Sequence, residues 1–141
     1  MPTPTLATES EQRAKAPELE VEQLTLERDR YADLFELAPD AYLVTDPYGI
    51  IMEANAAAAR LLGACAASLR GRALELFIPL EQRGVFRGKL AAMAAGPGPG
   101  RAAWRGGLRC SGNDLRVDFT VGRIRHRALP MVSLCWLVRP L

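Results

Sequence analysis

The chain has 141 residues, which is enough for one domain with a modest hydrophobic core. Its apolar content of 49 % and charged content of 24 % are ordinary for a globular protein, and its formal net charge of +2 does not by itself indicate a nucleic-acid partner. No apolar run is long enough to span a membrane, and the first residues lack the basic and apolar regions of a secretory signal. We therefore expect a cytoplasmic protein that binds neither nucleic acid nor membrane.

The cysteines and the histidine offer little chemistry. The chain has three cysteines, Cys65, Cys110 and Cys135, and they form no CxxC motif. Because their number is odd, we expect no disulfide framework, and each cysteine should serve as a small buried hydrophobic residue in a reducing compartment. His126 is the only histidine, which excludes a Ser-His-Asp triad and a multi-histidine metal site; we expect it in a solvated loop. The sequence predicts no catalytic residue, no metal site and no enzyme activity.

The chain begins with a polar segment, residues 1–16, for which we predict disorder. Residues 17–38 have a helical pattern that ends before Pro39. Within it, five residues recur at intervals of 3, 4, 3 and 4, the spacing of a coiled-coil contact stripe, which we call the seam: Val21, Leu24, Arg28, Tyr31 and Phe35. A helix of this length is marginal alone in water, so we expect its apolar stripe to be covered by the sheet of its own domain or by a second copy.

The next segment, residues 40–63, carries the clearest local signals. Two apolar runs, 41–45 and 50–54, flank the tetrapeptide Asp46-Pro47-Tyr48-Gly49, which predicts a β-hairpin with a positive φ at Gly49. Asn55 follows at once and is a favoured helix N-cap, while Gly63 suits the end of the same short helix.

The rest of the chain predicts helices followed by strands. Two short helical segments, 64–72 and 73–77, precede a helix at 81–95 whose buried face is Phe86, Leu90 and Met93. A Gly-Pro loop follows at 96–100. Strands are predicted at 101–110, 115–121 and 131–138, with a bulge at Gly122, where the alternation slips, and a loop at 125–129. The last strand is apolar at both its odd and its even positions (both parities), which point to opposite faces, so both of its faces should be covered.

The order strand, Asp-x-x-Gly turn, strand, Asn and short helix resembles the opening of a PAS domain, the sensory module of many bacterial signalling proteins. The resemblance continues through Leu69-Arg70-Gly71-Arg72, Leu76-Phe77-Ile78-Pro79 and the turn Ser111-Gly112-Asn113-Asp114, and it covers about residues 30–139. It implies an α+β fold in which a five-stranded antiparallel sheet carries short helices on one face. The PAS domain would comprise residues 39–141, preceded by the N-terminal amphipathic helix.

The resemblance also bears on cofactors, and we predict none. The haem-binding branch of the family carries its axial histidine on the long helix, and helix 81–95 has none. In the photosensory flavin branch, matching Gly71-Arg72 puts Leu74 at the position of the reactive cysteine. The asparagines that this branch uses on its strands correspond to Gly107 and Val117. Noncovalent flavin, stacked on Trp104, is a distant alternative.

The resemblance implies a set of interior residues: Leu43, Thr45, Ala57, Leu74, Phe77, Val117 and Phe119. They would line a cavity for a small apolar ligand or would fill the interior themselves. We also predict a homodimer, built on the helix and the outer sheet face through Val21, Leu24, Tyr31, Phe35, Trp104 and Leu108. The expected function is sensing and signal transduction, relayed to a separate partner protein; the alternative is a ligand-free module for protein interaction and dimerisation.

Overall fold

The computed structural model of the chain describes residues 3–96, 100–125 and 132–141, with side chains from residue 19 onward. Two compact units are present, one ending at Phe35 and the other comprising Glu36–Leu141. His126 and most of the predicted loop 125–129 lie outside the described residues, as does the middle of the predicted loop 96–100.

The first unit is formed by helix α1, Thr3–Leu37. It begins well before Pro17, where the sequence predicted the helix to start, and so includes most of the segment predicted to be disordered. Residues 7–16 are rich in Ala, Glu, Gln, Arg and Lys, which are good helix formers and explain the longer helix. None of the described helices combines the length and the apolar character needed to cross a membrane.

The second unit is an antiparallel sheet with helices inserted after its second strand, as predicted. Strands β1 and β2 are Ala41–Thr45 and Ile51–Ala54. Helices α2, Ala56–Leu62, and α3, Ala66–Leu69, follow, then 3₁₀ turns at Leu74–Phe77 and Leu80–Gln82, and helix α4, Arg83–Ala95. Three further strands complete the sheet: β3 (Arg101–Cys110), β4 (Asn113–Arg125) and β5 (Val132–Pro140). The order across the sheet is β2-β1-β5-β4-β3.

The turn between β1 and β2 is the one that the sequence predicted. One carboxylate oxygen of Asp46 accepts hydrogen bonds from the backbone N–H groups of Tyr48 and Ile50, each at 2.9 Å. Gly49 has a φ of +83°, and a Cβ there would lie 3.1 Å from the Leu90 side chain. Gly49 therefore permits both the turn and the close approach of α4 to it.

Asn55 joins three elements through one buried side chain. Its Oδ1 accepts from the N–H of Ala58, which caps α2, and from the N–H of Tyr42 in β1, at 2.9 and 3.0 Å. Its Nδ2 donates to the carbonyl of Asp40 at 2.9 Å. The predicted N-cap is confirmed, and the same residue also ties the start of β1 to the end of β2.

Alternate side chains of the sheet point to an inner face, where the helices pack, and to an outer face. Leu43, Phe119 and Trp136 are fully buried on the inner face, whereas Val44 and Leu137 are half-buried on the outer one. The sheet thus separates a dry interior from an outer face that retains partial exposure.

The bulge predicted at Gly122 is wrong. The pairing of β4 with β5 is continuous from Val117↔Pro140 to Arg125↔Val132. Ile124 consequently lies on the outer face, where it is 42 % exposed. The alternation instead points Arg123 inward, and its guanidinium donates to the Met93 carbonyl in the last turn of α4 at 3.1 Å, which gives this inward-facing charge a partner.

We expect Asn55→Ala to lower the free energy of unfolding by about 2–4 kcal/mol, because it removes the cap of α2 and leaves buried backbone groups of β1 without partners. The matched control is Asn113→Ala, which removes an exposed asparagine and should change stability by less than about 0.5 kcal/mol. Urea unfolding followed by circular dichroism measures both. Equal midpoints for the two variants would contradict the assigned role of Asn55.

Candidate functional site

The seven residues that the sequence placed in the interior all lie in the core. Leu43, Thr45, Leu74, Val117 and Phe119 are almost completely inaccessible to solvent, and Ala57 and Phe77 are nearly so. The structure therefore brings this set together in the core of the second unit.

Trp136 occupies the interior beside Thr45, and the sequence reasoning did not single it out. The indole Nε1–H donates to the Thr45 hydroxyl oxygen at 2.9 Å, and this hydroxyl donates in turn to the backbone carbonyl of Asp46 at 3.0 Å. Thr45 is the only hydroxyl in the predicted set, and it is already engaged. Strand β5 gave no clear signal, because Leu137 shares the parity of Ser133 and Cys135, so both parities are apolar.

Three further aromatic rings, those of Phe86, Trp104 and Phe119, surround Trp136. Phe86 of α4 stacks on Trp136, with ring centroids 5.5 Å apart and an interplanar angle of 24°. Trp104 of β3 meets Trp136 edge-on at 5.8 Å and lies 5.4 Å from Phe119. These distances are in the favourable range for aromatic pairs, so the four rings form one cluster between α4 and the sheet.

This cluster corrects two residues of the predicted dimer interface. Trp104 and Leu108 were assigned to an exposed sheet surface, but their parity on β3 places them on the inner face, opposite Phe119 and Leu115 respectively. Leu108 is fully buried and Trp104 packs against the core. Neither side chain is on the outer face of the sheet.

The other predicted interface residues lie on α1. Val21, Leu24 and Tyr31 are 61 %, 64 % and 72 % exposed, and Phe35 is half-buried. The exposure of the first three makes them accessible to a partner; the homodimer stays a prediction.

A cleft of about 330 Å³ lies where the aromatic cluster reaches the surface, between the start of α4 and strands β3 and β4. Phe86, Phe119 and Trp104 line its inner part, and Val85, which is 63 % exposed, stands at its opening. Of the seven predicted interior residues, Phe119 borders this cleft.

Two adjacent glycines shape the strand side of the cleft. A Cβ on Gly106 would lie 3.0 Å from the Phe119 ring, and one on Gly107 would lie 3.0 Å from the Gln82 side chain. The N–H of Gly107 donates to Gln82 Oε1 at 2.7 Å, which ties β3 to the turn before α4. The absence of side chains at both positions allows this close approach and leaves room for the cleft.

The polar residues of the cleft are Gln82, Arg105 and Arg116. Arg105 pairs with Asp118 across the two strands at 3.2 Å, and both side chains are exposed. The side chain of Arg116 is exposed. The cleft lies beside these arginines because the turn that holds Gln82 meets β3 there, a contact between residues far apart in the chain.

Three positions correspond to those that the photosensory flavin branch of the family uses to bind its flavin, and the residues at these positions do not suit a flavin. Leu74 and Val117 are fully buried apolar residues, and Gly107 has no side chain. A flavin ring would find no side-chain donor or acceptor at any of the three, which leaves its polar edge unpaired. Among the described residues, no group of three or more His, Cys, Asp or Glu could hold a metal ion.

The three cysteines differ in environment, and one differs from the expectation that all are buried. Cys65 is exposed at the start of α3, and hydrogen bonding from the Ser68 side chain lowers the pKa of its thiol. Burial raises the pKa of Cys110, and burial together with the Glu53 charge raises that of Cys135. A lower pKa means a larger thiolate fraction at neutral pH, so we expect Cys65, which is also exposed, to react faster with thiol reagents than the other two cysteines.

We expect one thiol per chain to react quickly with a disulfide reagent such as Ellman's at neutral pH. Cys65→Ala should abolish this fast phase, whereas Cys135→Ala should leave it unchanged. Absorbance of the released chromophore gives the rates, and a fast phase that survives Cys65→Ala would show that another thiol is the reactive one.

Comparison with known proteins agrees with this fold. The family model of the PAS domain matches residues 29–92. A comparison with curated proteins found no match. The solved structures of similar fold include the PAS domain of an HTR-like protein from Haloarcula marismortui, at 21 % identity and a TM-score of 0.70, with 88 % of this chain and 99 % of that one covered.

Two further structures of this kind come from signalling and regulatory proteins. One is a domain of a sensory box sensor histidine kinase/response regulator from Geobacter sulfurreducens, at 20 % identity and a TM-score of 0.64, covering 82 % of this chain and 96 % of that one. The other is the PAS domain of a LuxR-family transcriptional regulator from Burkholderia thailandensis in complex with ethanol, at 23 % identity and a TM-score of 0.62, covering 79 % and 96 %. The family match and the shared fold identify a PAS domain in this chain.

Proposed function

We propose that this PAS domain is a sensory, non-catalytic module that binds a small ligand in the cleft between α4 and strands β3 and β4. The observation that carries the proposal is the cleft itself, an open space of about 330 Å³ bordered by the aromatic residues Phe86, Trp104 and Phe119. A concave, mainly apolar site with a few polar groups is the usual form of a small-molecule site.

The proteins of similar fold support the sensory part of the proposal. One belongs to a sensor histidine kinase and another, from a transcriptional regulator, holds ethanol. We propose that the present chain likewise responds to a small molecule and relays the response to a separate partner protein in the cytoplasm.

The test uses a variant that fills the cleft from its exposed side. Val85→Trp adds a large ring at the opening without changing a core residue. Ala91→Trp is the matched control, because residue 91 is exposed on the same helix and does not border the cleft.

We expect fragments from a library of small neutral, cationic and anionic compounds to bind the intact chain in ligand-observed NMR. Val85→Trp should lower the affinity of these fragments at least about tenfold by occupying the space, and Ala91→Trp should leave it unchanged. Fragments that bind the Val85→Trp variant as well as the intact chain would refute a ligand site in this cleft.

A second candidate function, a module for dimerisation and protein interaction, is favoured by the apolar surface of α1. Leu19, Val21, Leu24 and Tyr31 are each more than half exposed, and the same helix carries flanking charges. An apolar stripe of this kind is a common basis for association, and two-fold dimers are the commonest oligomers. We propose a homodimer in which α1 and the outer sheet face of each copy are covered.

We expect the intact chain to be a dimer by light scattering at micromolar concentration, and Leu24→Glu to make it monomeric. Desolvating the two new carboxylates in the seam should cost several kcal/mol, about enough to dissociate a micromolar dimer. The matched control is Leu26→Glu, which makes the same change at an equally exposed leucine off the seam of residues 21, 24, 28, 31 and 35. A monomeric intact chain would contradict the dimer, and dissociation by Leu26→Glu alone would place the contact on another face of α1.

A further inference from the structure

The side-chain polar groups that remain free in the cleft are hydrogen-bond donors. The indole N–H of Trp104 has no acceptor among the described residues, unlike that of Trp136. The Gln82 amide uses its oxygen for the Gly107 N–H, which leaves its NH₂ group available. Arg116 supplies a guanidinium, which has donors and no acceptor.

The charges around the cleft have one sign. No carboxylate is among the described residues that border it. Asp118 offsets the charge of Arg105, at 3.2 Å, whereas Arg116 forms no ion pair within the described part of the chain. The ammonium of Lys89 lies 5.7 Å from the centroid of the Trp104 ring and adds a further positive charge nearby. The cleft therefore favours a negatively charged acceptor.

The walls of the cleft favour a flat apolar body. Phe86 and Phe119 present buried rings, and Trp104 presents a half-buried one. Because Gly106 and Gly107 carry no side chains, a ring can lie close to the backbone of β3. Aromatic rings pack well against such walls in offset or edge-on geometry.

From this combination we infer that the ligand of the cleft is a small aromatic carboxylate. Its ring packs among Phe86, Trp104 and Phe119, and its carboxylate accepts hydrogen bonds from the Arg116 guanidinium and the Trp104 indole N–H. A planar guanidinium is well suited to a carboxylate, because it offers two parallel donors. The inference rests on the proposed ligand-binding function of the same cleft and adds the chemical class of the ligand.

The test compares three probes of the same size and shape on the full chain: phenylacetate, phenylacetamide and phenethylamine, which are anionic, neutral and cationic. We expect phenylacetate to bind about tenfold more tightly than the other two, which is the effect that one hydrogen bond to a charged group produces. Its affinity should fall as salt is added, because the opposite charges are then screened, while that of phenylacetamide should not.

Arg116→Gln should bring the affinity of phenylacetate down to that of phenylacetamide and leave phenylacetamide binding unchanged, which also shows that the cleft is intact. Arg116→Lys should restore part of the preference. The matched control is Arg109→Gln, an exposed arginine of β3 that does not border the cleft, and it should keep the full preference. Ligand-observed NMR titration measures all of these affinities.

Equal affinities for the three probes, or a preference that survives Arg116→Gln, would overturn the inference, as would the absence of binding by all three. The proposed ligand site fails separately, when fragments of any charge bind Val85→Trp as well as the intact chain. The two results are therefore distinguishable.

Discussion

The structure depends first on the side chain of Asn55. Its oxygen accepts from backbone N–H groups in β1 and in the first turn of α2, and its NH₂ group donates to the chain just before β1. The residue is completely buried, so water cannot take the place of a lost partner. The loss of any one of these hydrogen bonds would therefore leave a polar group unpaired in the interior. Asn55 thereby fixes where α2 leaves the sheet.

The helices on that face enclose an interior that is polar at one point. Trp136 donates its N–H to Thr45, and the ring that carries this N–H is stacked on Phe86 and meets Trp104 and Phe119 edge-on or tilted. This cluster fills the middle of the domain and leaves space at its margin, where α4 and β3 diverge. Trp104 belongs both to the cluster and to the lining of the cleft, so the proposed ligand would touch a ring that is packed against Trp136.

The two candidate sites differ in chemistry as well as in position along the chain. The cleft combines buried rings with unpaired donors and favours a small anion, whereas the described residues of α1 carry exposed aliphatic side chains and Tyr31 with charges beside them, which suits a protein partner. Sensing and association are compatible in one module, because neither site uses residues of the other.

The sequence by itself determined the elements that local backbone chemistry controls. The Asp46–Gly49 turn, the cap at Asn55, the end of α2 at Gly63 and the alternation of β4 each depend on one residue or on a few neighbours, and all were predicted. Only the tertiary structure decided which face of β5 points inward, since both parities of that strand are apolar and pairing with β1 was needed to place Trp136 beside Thr45. The same holds for the inward positions of Trp104 and Leu108, which depend on the pairing of β3 with β4. It holds also for the cleft, because Gln82, in the turn before α4, and Gly107, in β3, are far apart in the chain and meet only in the folded structure.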